Sequence, residues 1–178
     1  MNEQQIQQKI QDKIRSIPDF PKPGILFKDI TTAIKDPQAL ALIIDWFYDR
    51  LKDKQIDYVV GLESRGFIFA PTLAYKLNAG FVPIRKPGKL PAQTAKVSYD
   101  LEYGSDSLEI HQDAIEKGKK VVVVDDLLAT GGTAAAACEL VAQLGGTVEA
   151  IAFLLELSSL GGREKLPHKP EIFSLISY

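Results

Sequence analysis

At 178 residues, 46% hydrophobic and 25% charged, the chain is sized for one globular domain that buries its core without metals or disulfides. A net charge of −2 gives no electrostatic footprint for nucleic acid or an anionic membrane. The lone cysteine, Cys138, excludes an internal disulfide, and the polar, Gln-rich start has no apolar signal core, so a cytoplasmic protein is expected.

Ile6, Ile10 and Ile14 recur every four residues and predict a short amphipathic helix. Pro18, Pro21 and Pro23 then make residues 16–24 irregular or extended. Asp36-Pro37 opens a second helix whose apolar face is Leu40, Ile43, Ile44, Phe47 and Leu51. Residues 56–62 read as a strand ending in Glu63-Ser64-Arg65-Gly66. A helix over residues 67–77 follows, with Pro71 near its first turn and Asn78-Ala79-Gly80 as its stop. Residues 81–85 are a further strand, and the basic, Pro/Gly-containing residues 86–97 are expected to form a mobile loop. Alternation around residues 97–103 and 107–111 predicts a hairpin turning near Gly104-Ser105. After a Val-rich strand and its helix to about Leu144, strands over residues 148–155 and 172–176 complete the pattern. Strands alternating with helices predict an α/β fold with a mostly parallel sheet and helices on both faces.

The most informative run is Val121-Val122-Val123-Val124-Asp125-Asp126-Leu127-Leu128-Ala129-Thr130-Gly131-Gly132-Thr133-Ala134. Four consecutive β-branched residues suit a strand buried on both faces of a parallel sheet. Two carboxylates follow at its C-terminal end, the edge where ligands of open α/β sheets bind. A Gly/Thr turn opening an Ala-rich helix offers backbone N–H groups, hydroxyls and the positive helix end to a phosphate. Asp125 and Asp126 would repel that phosphate, but they can accept hydrogen bonds from sugar hydroxyls or help hold a divalent cation. A phosphate cradle beside diol acceptors describes a ribose-5-phosphate site. The plainer alternative is a buried strand capped by Asp before an ordinary helix. A P-loop is excluded because Thr133 follows Gly132 with no Lys, and no Gly-x-Gly-x-x-Gly follows any strand.

This run resembles the phosphoribosyl pyrophosphate (PRPP) signature of the type I phosphoribosyltransferases, and segments over about residues 16–178 are similar to their adenine-specific members. The resemblance implies a single type I phosphoribosyltransferase domain over residues 1–178, with a base-binding segment in residues 1–30 and a flexible hood over residues 86–111. It implies transfer of the phosphoribosyl group from PRPP to adenine, giving AMP and pyrophosphate in purine salvage. Mg²⁺ would be bound mainly through PRPP or pyrophosphate, and the protein would be a homodimer. Two alternatives stand: a related enzyme for another base, or a non-catalytic regulator that binds PRPP or a nucleotide.

By the same resemblance, Asp125 and Asp126 would take the ribose hydroxyls, and Ala129, Thr130, Gly131, Gly132 and Thr133 the 5′-phosphate. Ser64 and Arg65, in a loop expected to contain a non-proline cis peptide, would bind pyrophosphate. Glu63 departs from the family's usual Asp. Arg85, Lys86 and Lys89 match the family's Arg-Lys-x-Gly-Lys-Leu-Pro run and would also bind pyrophosphate; on residues alone they read as a solvated basic turn. In the Ser98-Tyr99-Asp100-Leu101-Glu102-Tyr103-Gly104 hood, Glu102 would be the catalytic general acid/base and Tyr103 would pack near ribose and pyrophosphate. Spacing alone makes Glu102 a solvent-facing strand residue. In the Phe20-Pro21-Lys22-Pro23-Gly24-Ile25-Leu26-Phe27-Lys28-Asp29-Ile30 segment, Leu26 would read the base through its backbone and Phe27 would stack on it, Phe27 reading otherwise as core. Lys28 stands where the family often has Arg. His111 and His168 show no ligand spacing and are assigned no chemistry.

Overall fold

The computed structural model describes residues 1–100 and 104–178. Two compact units emerge, Met1–Trp46 and Phe47–Tyr178.

The first unit opens with helix α1, Glu3–Gln11, whose Asn2 and Gln5 side chains form a reciprocal capping box. Ile10 is its fully buried residue, and Ile14 lies beyond its end. Of residues 16–24, expected to be irregular or extended, the first three are extended as part of a strand. β1, Arg15–Pro18, pairs antiparallel with β2, Leu26–Asp29, matching Ile17 with Phe27 and Pro18 with Leu26. The prolines permit this because the pair is a two-stranded ribbon, in which a missing N–H can face outward. The ribbon's base is fastened by Arg15, which donates to Asp29 from Nε at 3.1 Å and Nη2 at 2.5 Å. Asp29 also accepts from the Thr31 hydroxyl and N–H at 2.7 and 2.9 Å. The Thr31 hydroxyl and then Arg15 hold its carboxyl down at about 2. A short helix α2, Thr31–Ile34, precedes α3, Pro37–Leu51, whose last turn, from Phe47, belongs to the second unit. On α3 the buried positions are Ala39, Ile43, Ile44, Trp46, Phe47 and Leu51. Leu40, expected on that face, is only half-buried.

The second unit carries a five-stranded parallel sheet in the order β4-β3-β7-β8-β9. Its strands are β3 Tyr58–Leu62, β4 Gly80–Ile84, β7 Lys120–Leu128, β8 Thr147–Glu156 and β9 Glu171–Ser177. Val121 to Val124 are fully buried in central β7, as four β-branched residues in a sheet covered on both faces should be. Two helices link the parallel strands: α4, Ala70–Leu77, after β3, and α5, Gly132–Gln143, after β7. The chain moves outward from β3 to β4 on one side and from β7 to β8 on the other. Right-handed crossovers therefore put α4 and α5 on opposite faces. The helix expected over residues 67–77 starts later. Residues Arg65–Ile68 form a 3₁₀ turn first, and Pro71 lies in the opening turn of α4.

An antiparallel hairpin, β5 Thr94–Asp100 with β6 Ser105–His111, pairs outside the five-stranded sheet, reaches its β4 side through a backbone bridge between Arg85 and Glu109, and shares the sheet's hydrophobic core. Its strands alternate, burying Val97, Leu108 and Ile110. Strand β5 begins at Thr94, inside the loop expected over residues 86–97 and three residues before the hairpin strand expected from about residue 97. The remaining loop is braced: the Gly88 N–H donates to Glu109 at 3.0 Å, and the Ala92 N–H to His111 Nε2 at 3.4 Å.

Candidate active site

Strand order reverses between β3 and β7, so the loops leaving these neighbours diverge and leave a crevice at their C-terminal ends. A cavity of about 350 Å³ lies there. Glu63, Ser64 and Arg65 line it from the β3 loop, and Asp125, Asp126, Ala129 and Thr133 from β7 and its turn. Lys86 adds a cation from the end of β4. A smaller pocket of about 70 Å³ is lined by Asp125 and by residues 127–134, the turn Ala129 to Thr133 among them.

β7 runs to Leu128, so the two carboxylates expected after the strand lie within it. Consecutive strand residues face opposite ways, and the pair is not equivalent. Asp126 is 4% exposed and meets Arg65 Nε at 2.8 Å. Asp125 is less covered and accepts the Asp126 N–H at 2.9 Å. Burial, then the neighbouring Asp126 charge, pushes the Asp125 carboxyl well up; burial also raises Asp126, opposed by Arg65. Gly66 lets the loops come this close. A Cβ there would lie 2.7 Å from the Val124 carbonyl oxygen.

The Glu63–Ser64 peptide is cis, as the resemblance implied. Glu63 itself is the hub of the cationic side. Its Oε1 accepts from Arg85 Nη2 at 3.0 Å and Lys89 Nζ at 2.6 Å, and its Oε2 from the Lys86 N–H at 3.0 Å. Burial works against its charge, but Arg85, Lys89 and the Lys86 N–H outweigh it and hold the carboxyl at about 2. Lys86 Nζ is paired with Asp106. All four cations expected to take pyrophosphate are thus already matched to carboxylates, Arg65 to Asp126, Arg85 and Lys89 to Glu63, and Lys86 to Asp106. Arg85 keeps one buried donor, Nε, with no hydrogen-bond partner among the described residues.

At the phosphate turn Gly131 adopts φ +82°, ψ −9°, and no side chain caps α5. The first-turn N–H groups of any helix lack intrahelical partners, and Thr130 and Thr133 share this turn with them. Thr133 Oγ1 lies 3.1 Å from the Tyr99 hydroxyl, which also donates to Asp106 at 3.3 Å. Tyr99 and Asp106 were missed in the sequence, although they face each other across the hairpin. The signal was there: their alternation puts both on one face.

Leu26 and Phe27 lie on β2 in the first unit. Leu26 is 53% exposed, and half-buried Phe27 meets Phe20 edge-on at 5.1 Å. Lys28 donates to the Ser16 hydroxyl at 3.0 Å. Glu102 and Tyr103 lie outside the described residues. No three His, Cys, Asp or Glu converge as a metal cage among the described residues. His111 accepts from the loop and His168 lines a surface cleft elsewhere.

Residues 31–172 match the phosphoribosyl transferase domain family. The chain belongs to this family. Among relatives within it, the adenine phosphoribosyltransferase of Acidobacterium capsulatum is 61% identical over 93% of this chain and 91% of its own. The crystal structure of adenine phosphoribosyltransferase from Rhodothermus marinus superposes with TM-score 0.94 at 47% identity, covering 98% of this chain and 99% of that one. The Saccharomyces cerevisiae enzyme, crystallised with an imino-altritol bisphosphate and adenine, gives TM-score 0.91 at 45% identity over 97% and 99% of the two chains. The family's mostly parallel sheet flanked by helices is the architecture observed.

The Glu63 hub predicts an acid-sensitive element. A carboxyl lowered from 4.5 to about 2 adds stability that is complete above its ordinary value and is lost as pH falls through the lowered one. Urea unfolding of wild type and Glu63→Gln from neutral pH down to about pH 2 should show the wild-type advantage shrinking across that window. A difference independent of pH would refute the hub's electrostatic contribution.

Proposed function

We propose that the protein transfers the 5-phosphoribosyl group of PRPP to adenine, giving AMP and pyrophosphate. The observation that carries this reading is the convergence, in one crevice, of a phosphate turn, a buried carboxylate pair and a set of cations. The turn from Ala129 to Thr133 receives the 5′-phosphate with backbone N–H groups and neutral hydroxyls. Asp125 and Asp126 accept hydrogen bonds from the ribose 2′- and 3′-hydroxyls. Ser64, Arg65, Arg85, Lys86 and Lys89 hold the pyrophosphate, with Arg85 Nε a donor in waiting.

Transfer passes through an oxocarbenium-like state in which the C1′–pyrophosphate bond is largely broken before the purine nitrogen attacks. The chain's part is positioning and stabilisation of the charge that gathers on the leaving group. Mg²⁺ belongs with the substrate in this scheme. Among the described residues no three His, Cys, Asp or Glu form a cage for it, and it would be bound mainly through PRPP or pyrophosphate, with Asp125 and Asp126 the carboxylates that could help hold it. When bound, it neutralises charge on the pyrophosphate. Leu26 reads the exocyclic amine through its backbone and Phe27 stacks on the purine. Glu102 exchanges the proton at the base, and Tyr103 closes over ribose and pyrophosphate. A homodimer is part of the same reading. No helix among the described residues is long and apolar enough to cross a membrane. The single free, buried Cys138, its thiol pushed up to about 12 by burial, supports a reducing cytoplasm.

A base panel tests the reading. With PRPP and Mg²⁺, adenine should yield AMP, and chelation of the cation should stop turnover. A backbone carbonyl facing a 6-oxo group is left unpaired, so hypoxanthine should be poorer in kcat/KM by roughly 10⁴. Comparable values for the two bases would move the assignment to another base.

A second test concerns proton transfer. Glu102→Gln should lower kcat by roughly 10²–10⁴ with PRPP affinity nearly unchanged. Wild-type kcat would return Glu102 to a solvent-facing role, and a large loss of PRPP affinity would make it an organiser of closure.

A further inference from the structure

The phosphate turn rests on a second backbone. After β8, two 3₁₀ turns, Ser158–Leu160 and Gly162–Lys165, bring the chain under Ala129 to Gly131. A Cβ built on Gly162 would overlap the Ala129 carbonyl oxygen and stand 3.0 Å from Leu128 Cδ1. A Cβ on Gly131 would overlap the Gly162 carbonyl oxygen and lie 3.2 Å from the Gly162 α-carbon. Each glycine therefore makes room for the other's backbone. Gly131 also has the positive φ that favours glycine, but Gly162 does not. Its conformation admits any residue, and only the closeness of Ala129 demands the missing side chain.

This second backbone is held from behind. Arg163, next to Gly162, grips Glu156 at the end of β8 with Nε at 2.7 Å and Nη2 at 2.8 Å. The same guanidinium donates to the Ile172 carbonyl at 3.2 Å and the Ser174 hydroxyl at 3.3 Å, both on β9. Glu156 is 6% exposed. A two-pronged Arg–carboxylate pair fixes orientation as well as distance. One side chain thus ties the Gly162 turn to two strands, so the turn cannot retreat from Ala129.

We infer that Gly162, braced by the Arg163–Glu156 pair, is a positioning element that sets the backbone geometry of the 5′-phosphate turn. None of the three touches substrate. The inference rests on the phosphoribosyl-transfer reading above, which assigns that turn to the 5′-phosphate. It adds that the turn's N–H groups are aimed by a neighbouring loop and not by α5 alone.

Calorimetric binding of ribose 5-phosphate, with pyrophosphate in Mg²⁺ buffer as the control ligand, separates this from general stability. In Gly162→Ala the Kd for ribose 5-phosphate should rise about 10- to 100-fold, the scale of an ångström-level misplacement. Pyrophosphate affinity should hold, because its proposed ligands lie on the β3 and β4 loops. Glu156→Gln, which keeps the shape and loses the ion pair, should shift the same ratio in the same direction by less, and serves if Gly162→Ala does not fold. Unchanged ribose 5-phosphate affinity in the folded variants would overturn the inference, as would equal weakening of both ligands. A wild-type protein that binds neither ribose 5-phosphate nor AMP would instead overturn the phosphoribosyl reading itself, and this inference with it.

Discussion

Strand β3 sends the chain out to β4 on one side, and β7 sends it out to β8 on the other. The two loops part at the neighbouring strand ends, and the sheet opens there and nowhere else along its C-terminal edge. Every group in the crevice depends on that reversal. If β3 and β7 continued in the same direction, their loops would stack side by side and fill the space. The opening also gathers opposite chemistries at fixed separation. The uncapped start of α5 belongs to β7, and the Arg65 loop belongs to β3. Gly66 sets how near the two can come, because any side chain there would strike the β7 backbone.

The burial of Asp125 and Asp126 makes sense only beside that opening. Two carboxylates at adjacent positions of a central strand oppose folding, and burial raises the pKa of both. Arg65 meets Asp126 directly at 2.8 Å, and its charge also opposes the rise at Asp125. A sugar diol supplies donors to both carboxylates without adding charge, so the arrangement suits a polyhydroxyl ligand better than a second cation from the protein. The turn from Ala129 to Thr133 contributes backbone N–H groups and neutral hydroxyls, and Asp125 lines the same pocket.

The sheet was legible because its signals are local. Four buried valines, alternating hairpin positions and Gly-containing stops each report on their own segment. The phosphate turn was legible for the same reason, since Gly131, Gly132 and Thr133 are contiguous. What escaped notice is long-range. Glu63 looked like a departure of uncertain use, yet it reaches Arg85 and Lys89, more than twenty residues away in sequence. Tyr99 meets Thr133 only because the hairpin folds over the start of α5. The ribbon of β1 and β2 was hidden by its prolines, which forbid a central strand but tolerate an exposed pair. Gly162 gave no signal, because its backbone angles are ordinary and its reason lies entirely in a partner thirty residues upstream.

The pairing of Arg85, Lys86 and Lys89 with Glu63 and Asp106 follows from the same electrostatics. Two unit charges of like sign 4 Å apart repel by about 4 kcal/mol at an effective dielectric of 20. Cations gathered at the end of one strand would therefore splay into solvent unless anions sat among them. Glu63 and Asp106 supply those anions from the protein, and the low pKa of Glu63 keeps its charge in place throughout the physiological range. Under the proposed function, a pyrophosphate bound there would not meet bare cations; it would join or displace carboxylates already in contact with them. Its net gain is a difference between two sets of charge-assisted hydrogen bonds, which favours a ligand with more negative oxygens than the carboxylates it replaces. A singly charged anion gains little from that exchange, whereas a diphosphate gains much. Selection for the more highly charged ligand is thus a property of the paired ground state, and it would be weaker in a site whose cations stood alone.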